Sequence, residues 1–218
     1  MSVTLTRARH LDGEGQRGSA LVAVLLSTVL VSAIGAALTV TANTEAAIIS
    51  SFRTERELTY AAEAAVERAM QEVRLVTQWN DLLTGVQTTT FLDQTMVPAL
   101  PSGGTLDLRV LTARMQAATN ARFAGPNSPQ WRLVASGRLA DMAGRSSIES
   151  PAYLVVWVAD DVSETDGDPV ADSNDVLMIR GEAVGSGGRT RTLDVTVTRA
   201  GVLAGQPGLR VISWREVR

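Results

Sequence analysis

The fold is decided by SALVAVLLSTVLVSAIGAALTV, Ser19–Val40, together with TEAAIISSFRTERELTYAAEAAVERAMQEVRLVTQ, Thr44–Gln78. The first stretch is 22 residues without a charge, and the next charge is Glu45. As a helix it spans ~33 Å at ~1.5 Å per residue, which matches a bilayer core of ~30 Å. Its polar residues Ser27, Thr28, Ser32 and Thr39 are compatible with insertion, because such hydroxyls bond back to their own helix carbonyls. The second stretch holds neither Pro nor Gly and is rich in Ala, Glu, Arg and Leu, which favour helix. Leu58, Ala62, Val66, Ala69, Val73 and Val76 fall at helical spacing and make one narrow apolar stripe on a charged helix. Arg53/Glu57 and Arg68/Glu72 sit at i,i+4 on its solvated faces, where each pair adds only tenths of a kcal/mol. The two stretches predict one helix from about Ser19 to about Thr77, roughly 90 Å long at ~1.5 Å per residue. Its first half suits lipid or a bundle of like helices. Its second half suits packing on a globular domain, since the stripe is short and rich in small residues for a free coiled coil.

Upstream, Met1–Gly18 is polar and carries Arg7, Arg9 and Arg17. Arginines on that side only place it in the cytoplasm and the rest of the chain outside. A cleaved secretory signal, an uncleaved signal anchor and a prepilin-type signal all share this layout. The first has a shorter apolar region ending at an A-x-A-like site, which Ala33, Ala36 and Ala37 imitate. In the third, a short basic leader ends in Gly directly before the apolar helix. Gln16–Ala20, QRG then SA, has that form, with Gly18 last in the leader and Ser19 first in the mature chain.

These residues resemble the N-terminal region of PilX-type minor pilins of type IV pili. The likeness rests on the Arg17-Gly18 boundary, the Ala/Leu/Val helix that starts at once, and YAAEAAVERA at Tyr60–Ala69. It covers roughly residues 15–78. It implies cleavage by a prepilin peptidase between Gly18 and Ser19, retention of the helix in the inner membrane, and assembly with other pilin subunits. The fifth residue after the boundary is Ala23, where major pilins carry a Glu thought to pair with a neighbour's N-terminal amine. That departure resembles tip or initiating subunits, including the K-type minor pseudopilin of type II secretion.

Further along, the patterns change to strands and turns. Thr105–Leu111 alternates, Trp131–Ser136 is a short mixed run, and Tyr153–Val158 (YLVVWV) is apolar on both faces, as a central strand is. Asp175–Val184 and Thr190–Arg199 flank GSGGR at Gly185–Arg189, a hairpin signal. In the second of these, Leu193, Val195 and Val197 alternate with Asp194, Thr196 and Thr198. Leu209–Trp214 reads as a last strand. Residues 79–104 and 112–130, with Pro98, Pro101, Pro126 and Pro129, read as irregular insertions. Trp131, Trp157 and Trp214 read as core, with partly exposed contact surface as the competing reading. No βαβ alternation is present. The expected fold is α+β and pilin-like: a long N-terminal helix, with membrane and amphipathic halves, packed on an antiparallel sheet. The expected division is a cytoplasmic leader at 1–18, a membrane half at 19–43, an amphipathic half at 44–78 and a β-rich head at 79–218.

Composition narrows function. The chain has 218 residues, no Cys, and one His, His10, in the leader. Disulfides, thiolate sites and a cysteine nucleophile are excluded, and histidine-based catalysis or metal binding is argued against. All 20 positive charges are Arg, so Schiff-base and P-loop lysine chemistry are absent too. A net charge of −3 argues against nucleic-acid binding by phosphate neutralisation. GSG at Gly185–Gly187 is read as a turn and not a nucleophile elbow, since no histidine is available to serve it. No catalytic residue and no required cofactor are expected. One run stands out: DDVSETDGDPVADSND, Asp160–Asp175, with seven acids in 16 residues and no base. Asp160, Asp161, Glu164, Asp166, Asp168, Asp172 and Asp175 are hard oxygen donors at short spacing around a Gly turn, which suits Ca²⁺. The EF-hand order is missing, and a solvated acidic turn is the competing reading. The expected role is a structural minor pilin-like subunit in type IV pilus assembly, in the inner membrane or the extracellular pilus. The alternatives are a minor pseudopilin of type II secretion and a membrane-anchored extracytoplasmic binding or adhesion module.

Overall fold

The computed structural model describes residues 15–91, 93, 95–142, 150–203 and 206–217. The chain divides into two compact units, Met1–Phe52 and Arg53–Arg218. The leader expected over Met1–Gly18 lies outside the described residues as far as Glu14.

Helix α1 runs Gly15–Val73. In the first unit every side chain from Gly18 to Ser50 is exposed, and the helix that begins at Gly18 is long and apolar enough to cross a membrane. Its hydroxyls turn inward on their own backbone: Ser27 Oγ donates to Ala23 O at 2.8 Å, Thr28 Oγ1 to Val24 O at 3.0 Å and Thr39 Oγ1 to Gly35 O at 2.9 Å.

In the second unit the stripe predicted on α1 is the core. Leu58, Ala62, Val66, Ala69, Val73 and Val76 are all buried, together with Ala61 and Ala65. They pack on one face of a five-stranded sheet of order β1-β2-β3-β4-β5. The strands are β1 Arg132–Arg138, β2 Tyr153–Asp160, β3 Val176–Val184, β4 Thr190–Leu203 and β5 Gln206–Val217, and every neighbouring pair is antiparallel. Alternation sends Leu154, Val156 and Val158 of β2, Leu177, Ile179 and Ala183 of β3, and Leu193, Val195 and Val197 of β4 to that face. Small residues on α1 let helix and sheet approach closely. A Cβ placed on Gly181 of β3 would stand 2.5 Å from Val66 Cγ2 and 3.3 Å from the Ala62 carbonyl oxygen. The β3–β4 hairpin turns at Gly185–Arg189 as expected, with Gly187 and Gly188 at φ 69° and 73° and Gly185 N donating to Arg189 O at 2.9 Å.

Several expectations are corrected. The α1 helix stops at Val73, short of Thr77. A short helix, α2 (Trp79–Thr84), comes next, and the buried Trp79 indole turns back to donate to Val73 O at 3.1 Å. Thr105–Leu111 is not a strand and residues 112–130 are not irregular throughout: Leu108–Arg122 is helix α3. Asp107 decides this. Its carboxylate accepts Arg109 N at 2.9 Å and Val110 N at 3.2 Å, the bonds an N-cap makes to the unpaired amides of a first turn. Leu108 and Met115 then lie, with Leu111 packed against them, beside Tyr153, Val155, Trp157 and Ala159, which is why β2 is apolar on both faces. The hydroxyls of α3 complete the match: Trp157 Nε1 donates to Thr112 Oγ1 at 2.8 Å and Trp131 Nε1 to Thr119 Oγ1 at 2.9 Å. Thr89, Phe91 and Asp93 are not part of a detached insertion either. Thr89 N donates to Val134 O, Ser136 N to Phe91 O and Asp93 N to Ser136 O, so they cover the outer edge of β1 and leave it unavailable to another chain. A last short helix, α4, spans Leu139–Met142. Finally, Trp131 and Trp157 are core but Trp214 is 41 % exposed, on β5, an outermost strand of the sheet.

Candidate metal centre

Asp160 is the last residue of β2, opposite Leu177 of β3. Strand alternation places it on the face of Leu154, Val156 and Val158, where the next residue of the pattern should be apolar. It is 1 % exposed, and neither carboxylate oxygen has a hydrogen-bond partner. Asp161 and Glu164, 6 % and 8 % exposed, bring their carboxylates to it, and one oxygen from each of the three lies within 4.8 Å of the others.

The other two carboxylates are held, not loose. Asp161 Oδ2 accepts Ser163 N at 2.8 Å and also the Ser163 hydroxyl, and its Oδ1 accepts Asn174 Nδ2 at 2.8 Å. Glu164 Oε1 accepts Ser173 N at 2.8 Å and Asn174 N at 2.9 Å, and its Oε2 accepts Ser173 Oγ at 3.0 Å. The loop from Asp161 to Asp175 is thus closed by its own acids gripping its return limb. Asn127, beyond the end of α3, adds an outside brace by donating to Glu164 O.

The electrostatics come from this layout. Burial pushes the Asp160 carboxyl up to about 7, with the charges of Glu164, Asp161 and Asp172 acting in the same direction and the nearby Asp161 backbone N–H, which falls short of hydrogen-bond geometry, opposing them. Asp172, half-buried, is also raised, by burial first. A buried carboxylate without a donor is costly, and it is relieved either by a proton or by a cation. Among the described residues, no ion pair includes Asp160, Asp161 or Glu164.

The remaining acids of the run point elsewhere. Asp166 and Asp168 are exposed and make turns: Asp166 Oδ1 accepts Asp168 N at 3.1 Å and Asp168 Oδ1 accepts Val170 N at 3.1 Å. Asp172 Oδ1 accepts Val176 N at 3.2 Å. Asp175, at φ 59°, pairs with Arg199 Nε at 2.9 Å. Three of the seven candidate donors are therefore brought together. The residues that orient them, Ser163, Ser173, Asn174 and Asn127, do not stand out in the sequence. The turn-forming character of DSND at Asp172–Asp175 is a local signal for two of them. For Asn127, far away in the chain, none exists.

The processing positions Gly18 and Ser19 and the assembly position Ala23 are all exposed on α1, and a Cβ at Gly18 would meet no atom within 4 Å. Compared with known families, curated proteins and solved structures, this chain matches no family model, no curated protein and no solved structure.

Proposed function

We propose that this chain is a membrane-anchored, pilin-like structural subunit that takes part in pilus assembly as a minor component. The observation that carries the reading is helix α1: its apolar, fully exposed part over Gly18–Val40 is continued in the same helix by the stripe Leu58–Val73 buried on an antiparallel sheet. An exposed apolar helix of that length needs lipid or like helices around it, and the head needs none of it for its own core. The arginine-bearing N-terminal side is cytoplasmic and the head extracytoplasmic. A prepilin peptidase removes the leader after Gly18, and the partners are other pilin subunits. The role is structural and not enzymatic. Ala23, in place of an acidic residue, suits a subunit at the tip or at initiation.

Mass spectrometry of the membrane-extracted protein tests this. The expected mature N-terminus is Ser19, with N-methylation. An intact Met1, or a start near Ala37, overturns the pilin-like reading.

A further inference from the structure

We propose that Asp160, Asp161 and Glu164 form a site for one hard divalent cation, Ca²⁺ in preference to Mg²⁺, which locks the β2–β3 connection. This inference is independent of the pilin-like reading, because it rests only on the head. The acidic run by itself does not carry it, since surface acids commonly make solvated turns. What carries it is Asp160, 1 % exposed, with both oxygens unpartnered and within ligand distance of two other carboxylates. A strand end packed against an apolar core is a costly place for a bare carboxylate, and buried polar groups without partners are rare enough to demand a reason.

The geometry selects the ion. Ca²⁺ takes six to eight oxygens in flexible geometry, whereas Mg²⁺ demands a near-ideal octahedron and gives up its waters reluctantly. Three carboxylates from one short loop, with an oxygen of each within 4.8 Å of the others, meet the first requirement more readily than the second. Asp161 and Glu164 are already oriented by Ser163, Ser173 and Asn174, so little ordering remains to be done on binding. They keep lone pairs free for an ion, because each carboxylate has about four acceptor positions. Water completes the six to eight oxygens that Ca²⁺ takes. The bound ion ties the end of β2 to Glu164, and through Glu164 to Ser173 and Asn174 just before β3.

The test uses the full chain in detergent, stripped with a chelator and titrated with CaCl₂ and separately with MgCl₂, by calorimetry and thermal unfolding. The expected result is one Ca²⁺ per chain and a midpoint rise of about 5–10 °C at a hundredfold excess over the dissociation constant, with a smaller response to Mg²⁺. Asp160→Asn, which keeps the side-chain shape and removes the buried charge, should abolish both the heat and the shift while leaving the chelated midpoint unchanged or higher. Asp166→Asn with Asp168→Asn should leave Ca²⁺ affinity within about threefold. Absence of any Ca²⁺ heat or midpoint shift in the unmodified chain overturns the proposal and leaves Asp160 as a buried carboxylic acid. A Ca²⁺ response that survives Asp160→Asn, or one lost with Asp166 and Asp168, overturns it as well by placing the ion elsewhere.

Discussion

The guanidinium of Arg199 lies 4.2 Å from the centroid of the Trp79 ring. From there it donates to Val76 O at 3.2 Å and Thr77 O at 3.0 Å, and pairs with Asp175 at 2.9 Å. One β4 side chain thus ties down the chain leaving α1, the entry to α2 and the last residue of the acidic loop. An arginine does this because its planar fork stacks and donates in several directions at once.

Arg199→Ala should therefore destabilise the head by about 2 kcal/mol, the order expected for losing hydrogen bonds from a charged donor in a part-buried place. Arg199→Lys should restore less than half of that, since an ammonium neither stacks flat nor forks. Thermal unfolding of the two variants in detergent against the unmodified chain measures both.

Gly181 and Val66 are a second coupled pair. Gly181→Ala puts a methyl 2.5 Å from Val66 Cγ2, and Val66 is β-branched on a helix, so it cannot rotate away cheaply. The expected cost is about 1–3 kcal/mol. Val66→Ala alone leaves a cavity and costs about 1–3 kcal/mol on the scale of lost methyl groups. The double variant should be less destabilised than the sum by about 1 kcal/mol or more. Strict additivity in the unfolding midpoints would mean that the helix does not press on β3 at this point.

Glu182 on β3 gives a pH signature. Burial raises its carboxyl above the ordinary value, while the charges of Arg180 and Arg114 and the Thr192 hydroxyl oppose the shift. The folded chain therefore holds this proton to a higher pH than the unfolded chain does. Its contribution is fully present below about 4.5, the unperturbed value, and is lost as pH rises through the raised folded value. Glu182→Gln should match the unmodified chain near pH 4 and be the more stable of the two near pH 7. The midpoint difference between the two proteins, tracked across that range, should grow with pH. A difference that shrinks as pH rises would contradict the sign.

Gly18→Val isolates recognition from folding. A Cβ at Gly18 meets nothing within 4 Å, so the substitution leaves the helix and the head undisturbed. If a prepilin peptidase reads this position, unprocessed chain should accumulate in the membrane. Immunoblotting for the precursor checks it, and normal-size mature protein from the variant would count against the expected cleavage.

Most of the architecture is legible in local patterns. The apolar run Ser19–Val40 declares itself by its length and lack of charge, and the stripe from Leu58 to Val76 and the alternation of Leu193, Val195 and Val197 repeat at the period of the element they form; both are properties of neighbours in the chain. YLVVWV at Tyr153–Val158 likewise announces a strand covered on both faces. Its second cover, α3, is not legible in the same way, because Leu106, Leu108 and Val110 alternate over too short a span to separate strand from the first turn of a helix. The cap at Asp107 and the place waiting beside Trp157 decide the matter. The buried carboxylate cluster divides the same way. That acids crowd between two strands is visible in Asp160–Asp175. Which three converge is not, since in the chain all seven are alike. The difference comes from burial: Asp160 ends a strand that runs under α1, and Ser173 and Asn174 return across the loop to hold Glu164. Local sequence determines which backbone forms a segment prefers. How much water each carboxylate keeps is set by residues distant in the chain, and only the packed sheet brings those together.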